Sequence, residues 1–218
     1  AAQTPHPVIL QGKPIEPDKR IVDVIAPYLE KITELKSSSV GIRLPKKLLR
    51  VGLQESAGAY LAQGLAQLGG VPYAIQNVGG VRNDLPPGEL TFAAVYDTAP
   101  FGNHVAIMLL THDQLVRVMH VLSVQRKSPP FTAGFEVVIK GDEVRLMLPG
   151  GKKPIPRADI YKVAMPDFLA MGGDGLGEVF DHFPSDKREI LKPVDRDALM
   201  TALRSKYPSK LLPNRATK

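Results

Sequence analysis

The sequence predicts an α/β (α+β) fold, a layered domain with mixed β-sheets flanked by helices. Three observations carry this. Segments with apolar residues at helical spacing alternate with short apolar runs of strand length. Glycine-rich loops follow two of those runs, and loops at strand ends are where such folds place ligands. The composition, 44% hydrophobic and 23% charged over 218 residues, suits a chain that buries a sizeable core.

Residues 1 to 17 carry Pro5, Pro7, Pro14 and Pro17 and read as an extended arm. Asp18 stands at a helix start. Ile21, Val24, Ile25, Leu29, Ile32 and Leu35 follow at helical spacing, and Ser37, Ser38 and Ser39 end the helix. A second helix is expected from Gln54 to Leu68, stopped by Gly69 and Gly70. Tyr73 to Gln76 is a short strand entering the loop Asn77-Val78-Gly79-Gly80-Val81-Arg82. His104 to Leu110 is a strongly apolar strand. Thr111 and Gln114 have the spacing of a capping box, with Leu115, Val118, Met119 and Leu122 behind them. Phe135 to Ile139 and Val144 to Leu148 flank Gly141-Asp142 as a hairpin. Tyr161 to Met165 is a strand feeding Pro166-Asp167-Phe168-Leu169-Ala170-Met171-Gly172-Gly173-Asp174-Gly175. Asp195 to Tyr207 is a last helix, followed by a basic tail. The chain thus divides into an arm with a linker helix, 1–39, and a main domain, 40–218.

Composition narrows the function classes. With no Cys there is no disulfide, thiolate metal site or Cys nucleophile. No apolar run approaches the roughly 20 residues of a membrane span. The net charge of +6 is dispersed, and only 6% of residues are aromatic, which argues against a nucleic-acid groove. The five His (6, 104, 112, 120 and 182) show no metal-ligand spacing, and Asp113 beside His112 is explained by capping. Gly102-Asn103-His104 lacks the carboxylate that a two-metal centre would need next. No Ser-His-Asp set, Walker loop or dinucleotide fingerprint is present. The residues look built for binding rather than for self-sufficient catalysis.

The Gly-rich loop is the strongest binding signal. Gly172, Gly173 and Gly175 admit backbone angles closed to other residues and let a ligand come close. Phe168 offers a ring and Asp174 an acceptor, a pairing that suits a flat heterocycle joined to a vicinal diol. Arg82, on its own glycine loop with Asn77, offers a planar fork of donors to an anion. Pro100-Phe101-Gly102-Asn103 is a second tight loop ending in an amide. Core packing for Phe168, turn chemistry for the Asn residues and plain surface for Arg82 are the bland alternatives.

The order of these motifs resembles the C-terminal domain of the 5′-nucleotidase and UDP-sugar hydrolase family. The resemblance covers roughly residues 40 to 207 and rests on Asn77 to Arg82, Pro100 to Asn103 and, most specifically, Tyr161 to Gly175. It implies a substrate-binding domain for nucleotides or nucleosides. Phe168 is then one of two rings that sandwich the base, and Asp174 accepts hydrogen bonds from the ribose hydroxyls. Arg82 contacts the phosphate or ribose side, and Asn77 and Asn103 lie at or near the base. Phe131, in the loop before the Phe135 strand, is the candidate for the second ring. The family's two divalent metals belong to an N-terminal metallophosphatase domain that none of these residues match, so no metal or other cofactor is expected here and that domain is the expected partner. The family also implies export, to the periplasm or outside the cell. The opening Ala1-Ala2-Gln3 fits either a removed export signal or an excised fragment. Some positions depart from the family: Gln54 where relatives have Arg, Ala59 where Asn or Arg is usual, Gln63 where Asp is usual, and Val78 where Gly is usual. Those departures leave a second reading open, a structural or interaction subunit with a vestigial pocket.

Overall fold

The computed structural model describes residues 9–15, 17–52 and 55–208. Pro5 and Pro7 of the arm, Gln54 and the end of the basic tail from 209 lie outside these. The chain forms two compact units, 1–38 and 39–218.

In the first unit, strands β1 (Ile9–Leu10) and β2 (Lys13–Pro14) pair antiparallel. The turn between them puts Gln11 at φ 50° and Gly12 at φ 77°, the doubly left-handed geometry of a tight hairpin. The pairing is a feature that the proline content does not predict. Helix α1 (Lys19–Ser37) comes next, capped by Asp18, whose carboxylate accepts from the Arg20 amide at 2.8 Å. None of its residues is buried, and the apolar residues of its stripe are exposed.

The second unit holds a five-stranded sheet in which only one neighbouring pair is parallel. Strand β3 (Ser39–Leu44) comes first, then helix α2 (Ala57–Gly69) and β4 (Tyr73–Gln76). Next are β5 (Gly88–Thr91), α3 (Phe92–Thr98), β6 (His104–Leu110) and α4 (His112–His120). Then come β7 (Phe131–Ala133), β8 (Glu136–Lys140), β9 (Glu143–Met147) and β10 (Tyr161–Pro166). Short helices α5 (Asp167–Ala170) and α6 (Gly177–Phe180) precede β11 (Arg188–Val194) and α7 (Asp195–Lys206). The sheet order is β11-β6-β10-β4-β7, with β4 and β10 parallel and all other neighbours antiparallel. β3 pairs with β5 and β8 with β9 in two ribbons.

The unbroken apolar run of β6 reflects its place inside the sheet, since both of its faces are buried. Val105 and Ile107 enter one core with α2 and α7; Ala106, Met108 and Leu110 enter another with α4 and the β8–β9 hairpin. α2 and α7 approach through Gly64, where an added Cβ would overlap the carbonyl oxygen of Ala198.

Several elements differ from expectation. α2 starts at Ala57 because Ser56 caps it, accepting from the Ala59 amide at 3.1 Å. β3, β5, α3, β7 and β11 are additional to the elements that the periodicity predicts. β11 contains Pro193 and lies at the sheet edge, where a missing N–H is tolerated. α4 ends early and widens into a π turn over Val121–Gln125.

Candidate functional site

The strand registers gather the sequence-selected residues at one end of the sheet. β4 and β10 run parallel and leave the sheet at the same end, into Asn77 and Asp167. Gln76 pairs with Phe131, Pro166 with Val105 and Val194 with His104. Asn77, Phe131, Asn103, the 166–175 loop and the start of α7 therefore share that edge.

The 166–175 loop is folded around its glycines. Gly172 has φ 94° and Gly175 φ 82°, both left-handed. A Cβ on Gly173 would stand 2.6 Å from two Phe168 ring carbons. That glycine is needed by the neighbouring ring before any ligand is considered. Phe168 keeps 45% of its surface exposed. Asp174 takes φ 53°, a left-handed conformation that Asp tolerates. Its Oδ2 accepts from Asn77 Nδ2 at 2.7 Å, and its Oδ1 faces Arg126 Nη2 at 3.2 Å. Sequence reasoning misses Arg126, because nothing in a lone Arg after a helix signals a partner so far along the chain. The same loop walls a cleft of about 450 Å³ together with Arg117, His120, Gln125 and Glu178.

Asn77 is buried, and both ends of its amide are engaged. Its Oδ1 accepts from Gln76 Nε2 at 3.0 Å while its Nδ2 holds Asp174. It orients the carboxylate rather than presenting an open amide to a base. Gly80 makes room for this, since a Cβ there would overlap Gln76 Nε2. Arg50 braces the loop, donating from Nη1 to Val81 O at 3.0 Å. Its own amide donates to Asp84 Oδ1 at 2.6 Å. The Lys47 ammonium, with that amide, holds the Asp84 carboxyl below its usual range. Arg50 is thus a brace for the loop.

Arg82 is exposed, and its guanidinium lies 6.0 Å from the centre of the Phe101 ring. Phe101 is 57% exposed. Phe131, by contrast, is half-buried against α2, and a Cβ on Gly58 would overlap its ring. Phe131 thus packs in part on α2, and of the two rings Phe101 is the more exposed and lies beside Arg82. The Pro-Phe-Gly-Asn loop contains that ring, and its exposure is the signal that residue order alone does not carry.

Asn103 is tied to α7. Its amide N–H donates to Asp195 Oδ2 at 3.2 Å, and the Asp195 N–H donates to Asn103 O at 2.8 Å. The Asn103 N–H is the backbone one; its side-chain Nδ2 reaches the same Asp195 oxygen at 3.4 Å. Burial pushes the Asp195 carboxyl up, against the lowering effect of the Asn103 amide bond and of Arg196. The raised folded value means the native state holds this proton more tightly than the unfolded chain. The resulting stability is complete below the ordinary value of 3.8 and is lost as pH rises through the folded value. The stability of the parent relative to Asp195→Asn should therefore fall with rising pH, read by urea unfolding from about pH 4 to about pH 7. A flat difference would count against the buried carboxyl.

Among the described residues no group of three or more His, Asp or Glu is placed to hold a metal ion. The donor set does not fit the two metals implied by the resemblance. No helix among them is long and apolar enough to cross a membrane.

Residues 50–183 match the family model for the 5′-nucleotidase C-terminal domain, so the chain belongs to that family. It is 26% identical over 177 residues to a 5′-nucleotidase of Vibrio cholerae, covering 77% of this chain and 32% of that protein. The chain thus spans about a third of that relative's length. A 5′-nucleotidase precursor of Thermus thermophilus shares the fold at TM-score 0.68 and 21% identity, over 88% of this chain and 41% of that one. An NAD nucleotidase of Haemophilus influenzae does so at TM-score 0.63 and 20% identity, over 87% of this chain and 39% of that one.

Proposed function

We propose that this chain recognises a nucleotide or nucleoside as the substrate-binding part of a 5′-nucleotidase-type phosphohydrolase. One observation carries the reading: Asp174, engaged at both oxygens, lies in one loop with the exposed Phe168, and the exposed Phe101 of the neighbouring loop stands beside Arg82. In this reading the base lies between Phe168 and Phe101, the ribose diol bonds to Asp174, and Arg82 meets the phosphate side. Asn77 and Asn103 act one step back, and Gly172 and Gly173 shape the loop. The arm and helix of residues 1–39 join the domain, 40–218, to a metallophosphatase partner in which two divalent metals do the hydrolysis. Holding the base there would orient the scissile phosphate. Nucleotide catabolism outside the cytoplasm follows from the export that the family resemblance implies.

Half a cleft binds weakly, so we expect dissociation constants of about 10 µM to millimolar. Stacking is worth about 1–3 kcal/mol per base, so Phe168→Ala and Phe101→Ala should each weaken adenosine binding about tenfold, while Phe131→Ala should reduce stability instead. Titration by NMR, with thermal melts alongside, checks all three. No saturable binding of adenosine, AMP or UMP by the parent chain would sink the reading. The second reading, an interaction subunit with a vestigial pocket, is favoured by the exposed apolar residues of α1. Absent binding together with a stably co-purifying partner would select it.

A further inference from the structure

We infer that Arg126 is a specificity-determining positioning residue, fixing the plane of the Asp174 carboxylate so that the site selects a vicinal diol over a sugar lacking one hydroxyl. The inference rests on the nucleotide-recognition reading and assigns a residue that reading does not need.

Arg126 reaches Asp174 through an irregular backbone. After α4 the chain widens into the π turn Val121–Gln125, closed by the Arg126 amide donating to Val121 O at 3.0 Å. One extra residue in a helical turn rotates the downstream chain by about 100°, and such turns are frequent at functional sites. Lys127, at φ 51°, then turns the chain away. The Arg126 side chain lies across Gly175, where a Cβ would stand 3.5 Å from its Cδ and 3.8 Å from its Nη1. The Arg126 side chain, which a Cβ would meet at ordinary contact distance, does not require glycine there; the left-handed backbone of Gly175 does. Beyond it, Nη2 stands 3.2 Å from Asp174 Oδ1.

The opposite oxygen is held from β4. Asn77 Nδ2 donates to Oδ2 at 2.7 Å, and Asn77 is itself held by Gln76. A hydrogen bond from Asn77 and the ion pair with Arg126, from separate elements, thus bracket the carboxylate. An ionised carboxylate has about four acceptor positions, so each oxygen retains one for a hydroxyl. A carboxylate held at both ends presents those two acceptors in one fixed orientation, which two adjacent hydroxyls can meet together. Held only by Asn77, it would turn about its last bond and bind one hydroxyl nearly as well as two. The Asp174 side chain is 24% exposed and that of Arg126 47%, so the pair is open enough to face a ligand.

The test is titration of the full chain with adenosine and with 2′-deoxyadenosine, for the parent, Arg126→Ala and Arg126→Gln. The parent should prefer adenosine about tenfold, the worth of one hydrogen bond to a charged group. Arg126→Ala should lose most of that preference by weakening adenosine alone. Arg126→Gln, which keeps part of the stem and a donor, should fall between and serves if the Ala variant does not fold. A merely structural role would weaken both ligands equally. An unchanged ratio in the variants overturns the inference while leaving the nucleotide reading standing. A parent chain that binds neither ligand overturns both.

Discussion

Asp174→Asn should abolish measurable adenosine binding while the chain stays folded. Asn tolerates the left-handed backbone at φ 53° as well as Asp does. The exchange keeps the volume and removes the charge. Its amide nitrogen must then face a donor, either Asn77 Nδ2 or Arg126 Nη2, whichever way it turns. It offers a diol one acceptor where two stood. Losing hydrogen bonds to a charged group should cost about 2–3 kcal/mol, or about a hundredfold in affinity. From a weak starting point, that carries binding out of range. The folded state loses only a partly exposed ion pair, worth at most about 1 kcal/mol. Calorimetry and thermal melts on the same preparations read both effects. Binding within a fewfold of the parent would mean that Asp174 does not hold the ligand.

The largest stability effect is expected at Gly64. By helix propensity alone, replacing a mid-helix Gly with Ala stabilises by about 0.5–1 kcal/mol. Here the added methyl would overlap the carbonyl oxygen of Ala198, in the backbone of α7. Neither helix can yield by rotating a side chain, because the contact lies on the main chain. α2 and α7 must part, opening the core formed by Leu61, Leu65, Leu199 and Leu203. We expect Gly64→Ala to destabilise by about 2–3 kcal/mol net, by the logic of overpacking. The two effects have opposite signs, so urea unfolding gives a decisive answer. A gain in stability would show that α2 and α7 are further apart than described.

Much of this domain can be read along the chain because its signals are local. α1, α2, α4 and α7 coincide with apolar residues at helical spacing with a recognisable start or stop; the Thr111–Gln114 capping box forms as expected. β4, β6 and β10 are short apolar runs, and the 166–175 loop is set by its glycines. The strands that the sequence hides lack that periodicity. β7 has three residues, β11 contains a proline, and β3 and β5 form a two-stranded ribbon among the described residues. Such segments become strands because a neighbour supplies hydrogen bonds, which no local pattern announces.

The sequence by itself determined the layered α/β class, the family, and the chemistry available at the site: an aromatic ring, a carboxylate and a guanidinium on glycine loops. These depend on residue type and on spacing within a few positions. Only the tertiary structure decided which groups face a ligand and which hold other groups in place. It buried Asn77 behind Asp174, tied Asn103 to Asp195, packed Phe131 on Gly58 and left Phe101 exposed. It also brought Arg126 to Asp174 through a π turn. Exposure and partnership are properties of strand register and of close backbone approach between distant segments, and those exist only once the sheet has formed.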